Sequence, residues 1–479
     1  MLFNSLQFGI FFIIVYSFYL VLNHKWQNRM LLAASCIFYG SWNWKFLFLM
    51  FTSITTDYFC GLKIDESKNE ETRKQYLFFS ILVNLLILGF FKYYNFFIEN
   101  FKNLLSVFGI IAHPHSLNII LPLGISFYTF QTMSYAIDVY RKEIKPTKNF
   151  FDYALFVSYF PHLMAGPIMR AKQLLAQVIN HRKITLNTFY EGCYLIFWGL
   201  FQKVFVADNL AKIVDPIFAS APPYNGAVVL VAMYAFVFQI FCDFSGYSDM
   251  ARGLGKVMGF EIMINFNTPF LVTNVQEFWQ KWHISLSTWV RDYLYMPLFT
   301  SLRKIKGNPR VYIAVIVTMT LLGLWHGAGW TFVVFGLYYG ILLVAYTILR
   351  ARCHSWIVPK STVGQKIWLW VRIIFMFHIT AIGLMIFRAR SIAQMFDILY
   401  SLILNFQFSH EIPLVSIIGK VIFYTNLVII VQIFQFIKKD LMAILKINTL
   451  VRAAFYIICF YGLALWGSSS GKEFIYFQF

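Results

Sequence analysis

Along most of this chain the apolar positions come in long unbroken blocks, and short charged stretches separate them. A helix needs about 20 predominantly apolar residues to cross roughly 30 Å of hydrocarbon. The blocks therefore predict spans near 6–23, 30–42, 46–62, 77–98, 118–139, 186–206, 223–242, 311–349 (as two), 367–388, 416–437 and 450–467, with 151–168 and 392–407 as weaker candidates. The expectation is an all-α polytopic membrane protein of about 11–13 transmembrane helices. The first block, from Leu6 to about Leu22, carries no small-x-small cleavage pattern behind it and reads as a retained span.

One stretch, 243–310, breaks the pattern. From Tyr247 to Asn267 it mixes Asp249, Arg252, Lys256 and Glu261 with glycines, and then runs through Asn265-Phe-Asn-Thr-Pro269. Glu277, Lys281, His283, Arg291 and Asp292 follow among tryptophans and tyrosines. Backbone this polar and this punctuated belongs at an interface or around a protein-enclosed cavity, as short amphipathic or re-entrant helices. No internal repeat is evident, which gives little support to an inverted-repeat transporter.

Composition agrees: 59% of residues are hydrophobic and 13% charged, against about 25% charged in soluble domains. Mean hydropathy is +0.64. The net charge of +19 would suggest a nucleic-acid partner if it were spread along a soluble chain. The cations instead fall in short connections, at Lys63–Lys74, Arg141–Lys148, Arg170–Lys183, Arg303–Arg310, Arg350–Lys366 and Lys438–Arg452. Such loops stay on the cytoplasmic side, so no nucleic acid is expected. Cys36, Cys60, Cys193, Cys242, Cys353 and Cys459 are scattered without a CxxC and read as buried structural thiols.

Two histidines stand out. His326 lies in Leu324-Trp-His-Gly-Ala-Gly-Trp330, between apolar runs, with Gly327 and Gly329 leaving room beside the ring and Trp325 and Trp330 placed to wall it. His283 lies in Phe278-Trp-Gln-Lys-Trp-His-Ile-Ser-Leu-Ser287; in a continuous helix Trp279, His283 and Ser287 would share one face. Imidazole is the side chain best suited to moving a proton near neutral pH. His283 is left open between orienting a substrate, tuning His326 and a structural role. No HExxH occurs, and His24, His113, His115, His162, His181, His354, His378 and His410 show no ligand spacing with the pair, so no metal is expected. His378, inside an apolar span, suits a helix–helix hydrogen bond or a pocket wall. Asp243 and Asp249, in Phe241-Cys-Asp-Phe-Ser-Gly-Tyr-Ser-Asp249, suit either orientation of a histidine or a helix cap, with Gly246 permitting a tight turn. Arg170, closing His162-Leu-Met-Ala-Gly-Pro-Ile-Met-Arg170, suits a phosphate or carboxylate on the cytoplasmic side. There is no GxSxG elbow, P-loop or Rossmann fingerprint.

Together, Gln280-Lys-Trp-His-Ile-Ser-Leu-Ser-Thr-Trp-Val-Arg-Asp-Tyr-Leu-Tyr-Met-Pro297 and Leu324-Trp-His-Gly-Ala-Gly-Trp330 resemble the membrane-bound O-acyltransferase superfamily. The branch most similar is the bacterial one that acetylates alginate and peptidoglycan, grouped with the teichoic-acid D-alanylating proteins. Met1-Leu-Phe-Asn-Ser5, Pro122-Leu-Gly-Ile-Ser-Phe-Tyr-Thr-Phe130, Ala165-Gly-Pro167, Asp243-Phe-Ser-Gly-Tyr-Ser-Asp249 and Asn265-Phe-Asn-Thr-Pro269 extend the likeness over nearly the whole chain. Where some relatives carry two arginines before Trp-His, this chain has Gln280-Lys281.

The resemblance implies a ring or funnel of helices around a thinned centre, with His326 and His283 as catalytic residues. It implies one membrane-embedded domain, divided as peripheral helices 1–150, a catalytic core 151–390 and C-terminal helices 391–479. Trp282, Trp325, Trp330, Ser287, Asp243, Asp249, Arg170 and His378 are candidates for the donor or substrate pocket. No bound cofactor is expected; acetyl-CoA is the donor the resemblance implies, with a cell-envelope polysaccharide as acceptor, membrane lipid around the chain and an SGNH-type partner completing the transfer. D-alanyl transfer from a carrier protein, and transport of acyl groups to a separate transferase, remain as alternatives.

Overall fold

The computed structural model describes residues 1–111, 116–353, 359, 361–408, 414–468 and 474–475. His113, His115, His354 and His410 lie outside the described residues. Every regular element among those described is helical.

Among the described residues, seven helices are long and apolar enough to cross a membrane: Glu70–Val107, Gly226–Val257, Asn308–His326, Trp330–Arg352, Thr362–Arg388, Leu414–Lys438 and Thr449–Trp466. The other apolar blocks form helices that are shorter, more polar or broken. Leu6–Val21 and Ile392–Leu404 have 16 and 13 residues. The block at 118–139 becomes helix only from Ile125, because Gly124 takes φ +73° and a Cβ there would lie 2.5 Å from the Leu163 carbonyl oxygen. The block at 151–168 divides into Phe150–Ser158 and the single turn Phe160–Leu163, with Pro161 at its start. The glycine of Pro122-Leu-Gly and the broken helix at His162-Leu-Met-Ala-Gly-Pro are thus two sides of one backbone contact.

The chain divides into two compact units, residues 1–196 with 250–263, and residues 197–249 with 264–479. The first unit packs the helices Leu6–Val21, His24–Asn43, Lys45–Glu66, Glu70–Leu88, Ile125–Tyr140 and Phe150–Ser158. Two polar groups within it show how its elements are joined. Asp57, fully buried, accepts from Ser80 at 2.5 Å and Asn84 at 2.8 Å. Arg182 donates to the Tyr19 hydroxyl at 2.8 Å and lies 4.5 Å over the Phe260 ring. Arg170 is at the N-cap of Ala171–Ile179 in this unit.

The second unit holds residues 226–249 of the long helix Gly226–Val257, together with Asn308–His326, Trp330–Cys353, Thr362–Arg388, Leu414–Lys438 and Thr449–Trp466. The apolar window of Gly226–Val257 is 78% buried, against 17–44% for the other spans, which marks it as the helix enclosed by protein rather than lipid. That explains how it tolerates Asp243, Ser245, Ser248 and Asp249 in its middle. Gly246 lies inside this helix and makes no turn. A Cβ on it would meet the Gly199 carbonyl oxygen at 2.7 Å, so the glycine permits a close helix crossing. Neither aspartate caps a helix, because the helix runs on to Val257. Of the cysteines with described side chains, Cys60, Cys242 and Cys459 are buried and Cys36 is half-buried, while Cys193 is exposed, contrary to the expectation of buried thiols throughout.

Candidate active site

His326 is the last residue of Asn308–His326, and Gly327 to Gly329 turn the chain into Trp330–Cys353. The two helices approach closely enough that a Cβ on Gly323 would lie 2.2 Å from the Phe332 carbonyl oxygen and one on Gly336 2.2 Å from that of Met319. Small residues are what allow backbones this near. Gly327 is not the opening beside the ring that the sequence suggested: a Cβ there would collide with the Phe332 ring at 2.2 Å. Phe332 fills the space. His326 is 4% exposed, with Trp325, Phe387 and Phe335 around it at ring separations of 5.0, 5.3 and 5.8 Å. Trp330 is 55% exposed.

His283 is fully buried and sits in the left-handed region at φ 44°, ψ 54°. A continuous helix over Trp279–Ser287 therefore does not form. Val275–Lys281 ends, Trp282 is extended, and Ile284–Val290 begins after His283. Ser287 is turned to the Trp282 carbonyl at 3.2 Å and shares no helical face with Trp279.

A bulky residue in the left-handed region persists only when its surroundings fix it. The Asn265-Phe-Asn-Thr-Pro269 motif does so from both sides. The Asn267 N–H donates to the Lys281 carbonyl at 3.0 Å, and the Ile284 N–H donates to the Asn265 carbonyl at 2.9 Å. The Asn265 side chain accepts from the Ser285 hydroxyl at 2.7 Å and the Ser285 N–H at 3.2 Å, and donates to Ser248 at 3.1 Å. This places the His283 ring edge-on to Phe244 at 4.5 Å and 6.3 Å from the Trp325 ring. Trp325 thus touches both imidazoles. His283 lies outside the seven spans; burial holds its pKa well below the ordinary 6.5, and the neighbouring His326 adds to the shift.

The remaining candidates have other company. Trp282 stacks on Phe278 at 5.6 Å and meets Phe266 edge-on at 5.0 Å, forming the aromatic wall behind His283. Asp243 pairs with Lys203 at 2.6 Å and accepts from the Ile475 N–H at 2.6 Å, while Lys203 also pairs with Asp208 at 2.9 Å. Its carboxylate serves an ion triad rather than a histidine. Asp249 accepts from Gln202 at 3.1 Å. His378 is exposed, hydrogen-bonded to the Ile374 carbonyl of its own helix at 2.7 Å and edge-on to Tyr234 at 5.7 Å, with no hydrogen bond to another helix among the described residues. Of the candidates, His326, His283, Trp325 and Trp282 come together.

Sequence reasoning passed over Phe335, Phe387 and Lys203, and left Asn265 without a role. A lone lysine in an otherwise apolar helix marked Lys203, and amide-rich Asn-Phe-Asn next to an apolar block marked Asn265. Phe335 and Phe387 had no signal among 54 phenylalanines.

Residues 140–388 match the model of the membrane-bound O-acyltransferase family, MBOAT, a range that includes both histidines and both flanking helix pairs. The chain belongs to this family. A probable alginate O-acetylase, AlgI, of Azotobacter vinelandii is 41% identical over 77% of this chain and 71% of its own length. The peptidoglycan O-acetyltransferase of Helicobacter pylori is 34% identical over 80% and 74%. The teichoic acid D-alanyltransferase of Bacillus subtilis is more distant, at 29% over 58% and 70%. As an MBOAT the protein is an acyltransferase, and its apolar helices make it a multi-pass protein of the bacterial inner membrane. Acyl transfer to a hydroxyl needs a base for the hydroxyl proton and donors for the oxyanion. A buried neutral imidazole and an indole N–H are groups of that kind.

Proposed function

We propose that this MBOAT passes an acetyl group from a cytoplasmic thioester, acetyl-CoA, toward hydroxyls of an extracytoplasmic cell-envelope polysaccharide of the alginate or peptidoglycan kind. The observation that carries the reading is the meeting of His326 and His283 around Trp325, on the two motifs of the family, in a chain resembling O-acetylating relatives. Neutral His326 takes the proton as the acceptor oxygen attacks the thioester carbonyl. The oxyanion is met by the Trp325 indole N–H, His283 or backbone N–H groups near Gly327. Collapse expels the thiolate, which recovers the proton. The aromatic walls exclude water, which would otherwise hydrolyse the thioester. An SGNH-type partner completes delivery to the polymer.

The test is acetylation of envelope polymer in cells carrying His326→Ala, with membrane accumulation of the protein measured alongside. Loss of acetylation at normal accumulation is expected; normal acetylation removes the catalytic assignment. Membranes offered labelled acetyl-CoA and, separately, an aminoacylated carrier protein distinguish acetyl from D-alanyl transfer. Label that crosses a liposome without esterifying any acceptor would make the protein a transporter.

A further inference from the structure

Three helices of the first unit turn paired polar residues toward one another. Ser53 and Asp57 stand four residues apart on Lys45–Glu66, Ser80 and Asn84 four apart on Glu70–Leu88, and Thr129 and Thr132 three apart on Ile125–Tyr140. At those spacings each pair shares one helix face. The three helices pack against one another, and all six side chains are fully buried.

Asp57 is the ionisable member of the cluster. It accepts from the Ser80 hydroxyl at 2.5 Å and the Asn84 amide at 2.8 Å, and the Thr132 hydroxyl donates to the Asn84 carbonyl oxygen at 3.2 Å. Among the described residues no lysine, arginine or histidine pairs with this carboxylate. Asp208 and Asp243, equally buried, share the ammonium of Lys203. A carboxylate enclosed without such a partner is costly, and it directs attention to what else could answer its charge.

The neighbouring hydroxyls supply a second observation. A serine or threonine inside a helix can satisfy itself on the carbonyl four residues back, as Ser35 and Ser158 do. The hydroxyls of Ser53 and Thr129 have no hydrogen-bond partner among the described residues. Buried hydroxyls are normally paired, so two unanswered ones on the faces that carry Asp57 and Thr132 point to a ligand they share with the carboxylate.

The chemistry of the cluster limits that ligand. It meets a carboxylate, hydroxyls and an amide oxygen, which are hard donors suited to a hard cation. One acid balances one positive charge. No three acids, histidines or cysteines converge on a metal position among the described residues, so a divalent ion is not matched. Contacts of 2.5–3.2 Å across the cluster favour a small ion over potassium.

We propose that Asp57, with Ser53, Ser80, Asn84, Thr129 and Thr132, binds a sodium ion that ties these three helices together. A proton on Asp57 would also remove its charge, but it bridges a single pair of oxygens and leaves Ser53 and Thr129 unanswered. The site uses none of the residues assigned to acyl transfer and does not rest on that reading.

The test is thermal unfolding of the purified full-length protein in nanodiscs, titrated with sodium, potassium or choline chloride at constant ionic strength, alongside equilibrium binding of radiolabelled sodium. Tm should rise with sodium to a plateau and should not respond to choline or potassium. Asp57→Asn should abolish both the response and the binding. Ser53→Ala leaves every hydrogen bond of Asp57 in place, so it keeps the proposal testable even where Asp57→Asn fails to fold. It should raise the half-saturating sodium concentration roughly ten-fold, with Tm in choline unchanged. Equal effects of the three salts overturn the proposal, as does a sodium response that survives Asp57→Asn or an unchanged half-saturation in Ser53→Ala. A Tm that follows pH and ignores sodium assigns a proton to Asp57 and overturns it too.

Discussion

Two polar clusters are buried in the same unit, and they are built in opposite ways. At Lys203 every charge is answered: the ammonium lies between Asp208 and Asp243, and Asp243 is further held by the Ile475 N–H. At His326 and His283 the walls are aromatic rings, Trp325, Phe335, Phe387 and Phe244. A charge fully matched by neighbours is locked, and its contribution is to the fold. Burial among rings disfavours the charged form of the His283 imidazole, and a neutral imidazole is the form that can accept a proton from a substrate. The difference separates a strut from a reactive centre, although both appeared in the sequence as isolated polar residues in apolar surroundings.

The widest separation between them should come from single substitutions at their centres. His326→Ala removes the base and should lower acyl transfer about 10²–10⁴-fold, the usual worth of a positioned base, with thermal stability nearly unchanged. Lys203→Met should do the reverse. It leaves two carboxylates buried together and costs about 3–5 kcal/mol, read as a large fall in Tm and in membrane accumulation. If replacing Asp208 and Asp243 by Asn in the same chain restores stability without restoring activity, the triad has a role in catalysis too, and the contrast fails.

Gly327→Ala sharpens the account of the histidine turn. Its methyl meets Phe332 at 2.2 Å, so activity and stability should both fall, and Phe332→Ala in the same chain should recover stability. Asn265→Ala is milder. Loss of the hydrogen bonds that hold His283 in its left-handed conformation should cost about 1–3 kcal/mol. If Asn265 is a positioning residue, kcat should drop in Asn265→Ala more than in Asn265→Asp, which keeps the acceptor; equal losses would make its role purely structural.

The smallest effect concerns pH. His283 is neutral in the folded protein well below pH 6.5, whereas the unfolded chain takes up a proton near 6.5. Stability from this group is therefore complete above pH 6.5 and declines as the pH falls below it. Melting temperatures measured from pH 7.5 to 5 should slope less steeply in His283→Phe than in the wild type; parallel slopes would show that the burial of His283 is not felt.

Much of this arrangement was legible in the residues. The blocks at 311–349 gave two helices meeting at His326, and those at 367–388, 416–437 and 450–467 gave helices within a few residues of their limits. Hydropathy succeeds there because each block is long and unbroken. It fails for Phe150–Leu163 and for the block before Ile125, where a proline and a left-handed glycine interrupt apolar runs whose composition is unchanged. The two histidines announced themselves by polarity. What polarity could not reveal was the break at Trp282–His283, because local sequence there fits a helix and the hydrogen bonds that override it come from Asn265 and Asn267. Glycine was misjudged for a related reason: at Gly246 and Gly327 the missing side chain makes room for another part of the protein, which only the packed structure identifies.

The account turns on His326 acting as a base, and this is tested most directly by acyl transfer per unit of folded protein in His326→Gln, with purified protein in liposomes, labelled acetyl-CoA and a hydroxylated acceptor. A fall of at least about 10²-fold at unchanged Tm and unchanged CoA binding is the predicted result. Transfer at the wild-type rate would contradict it and leave His326 as one more packed ring.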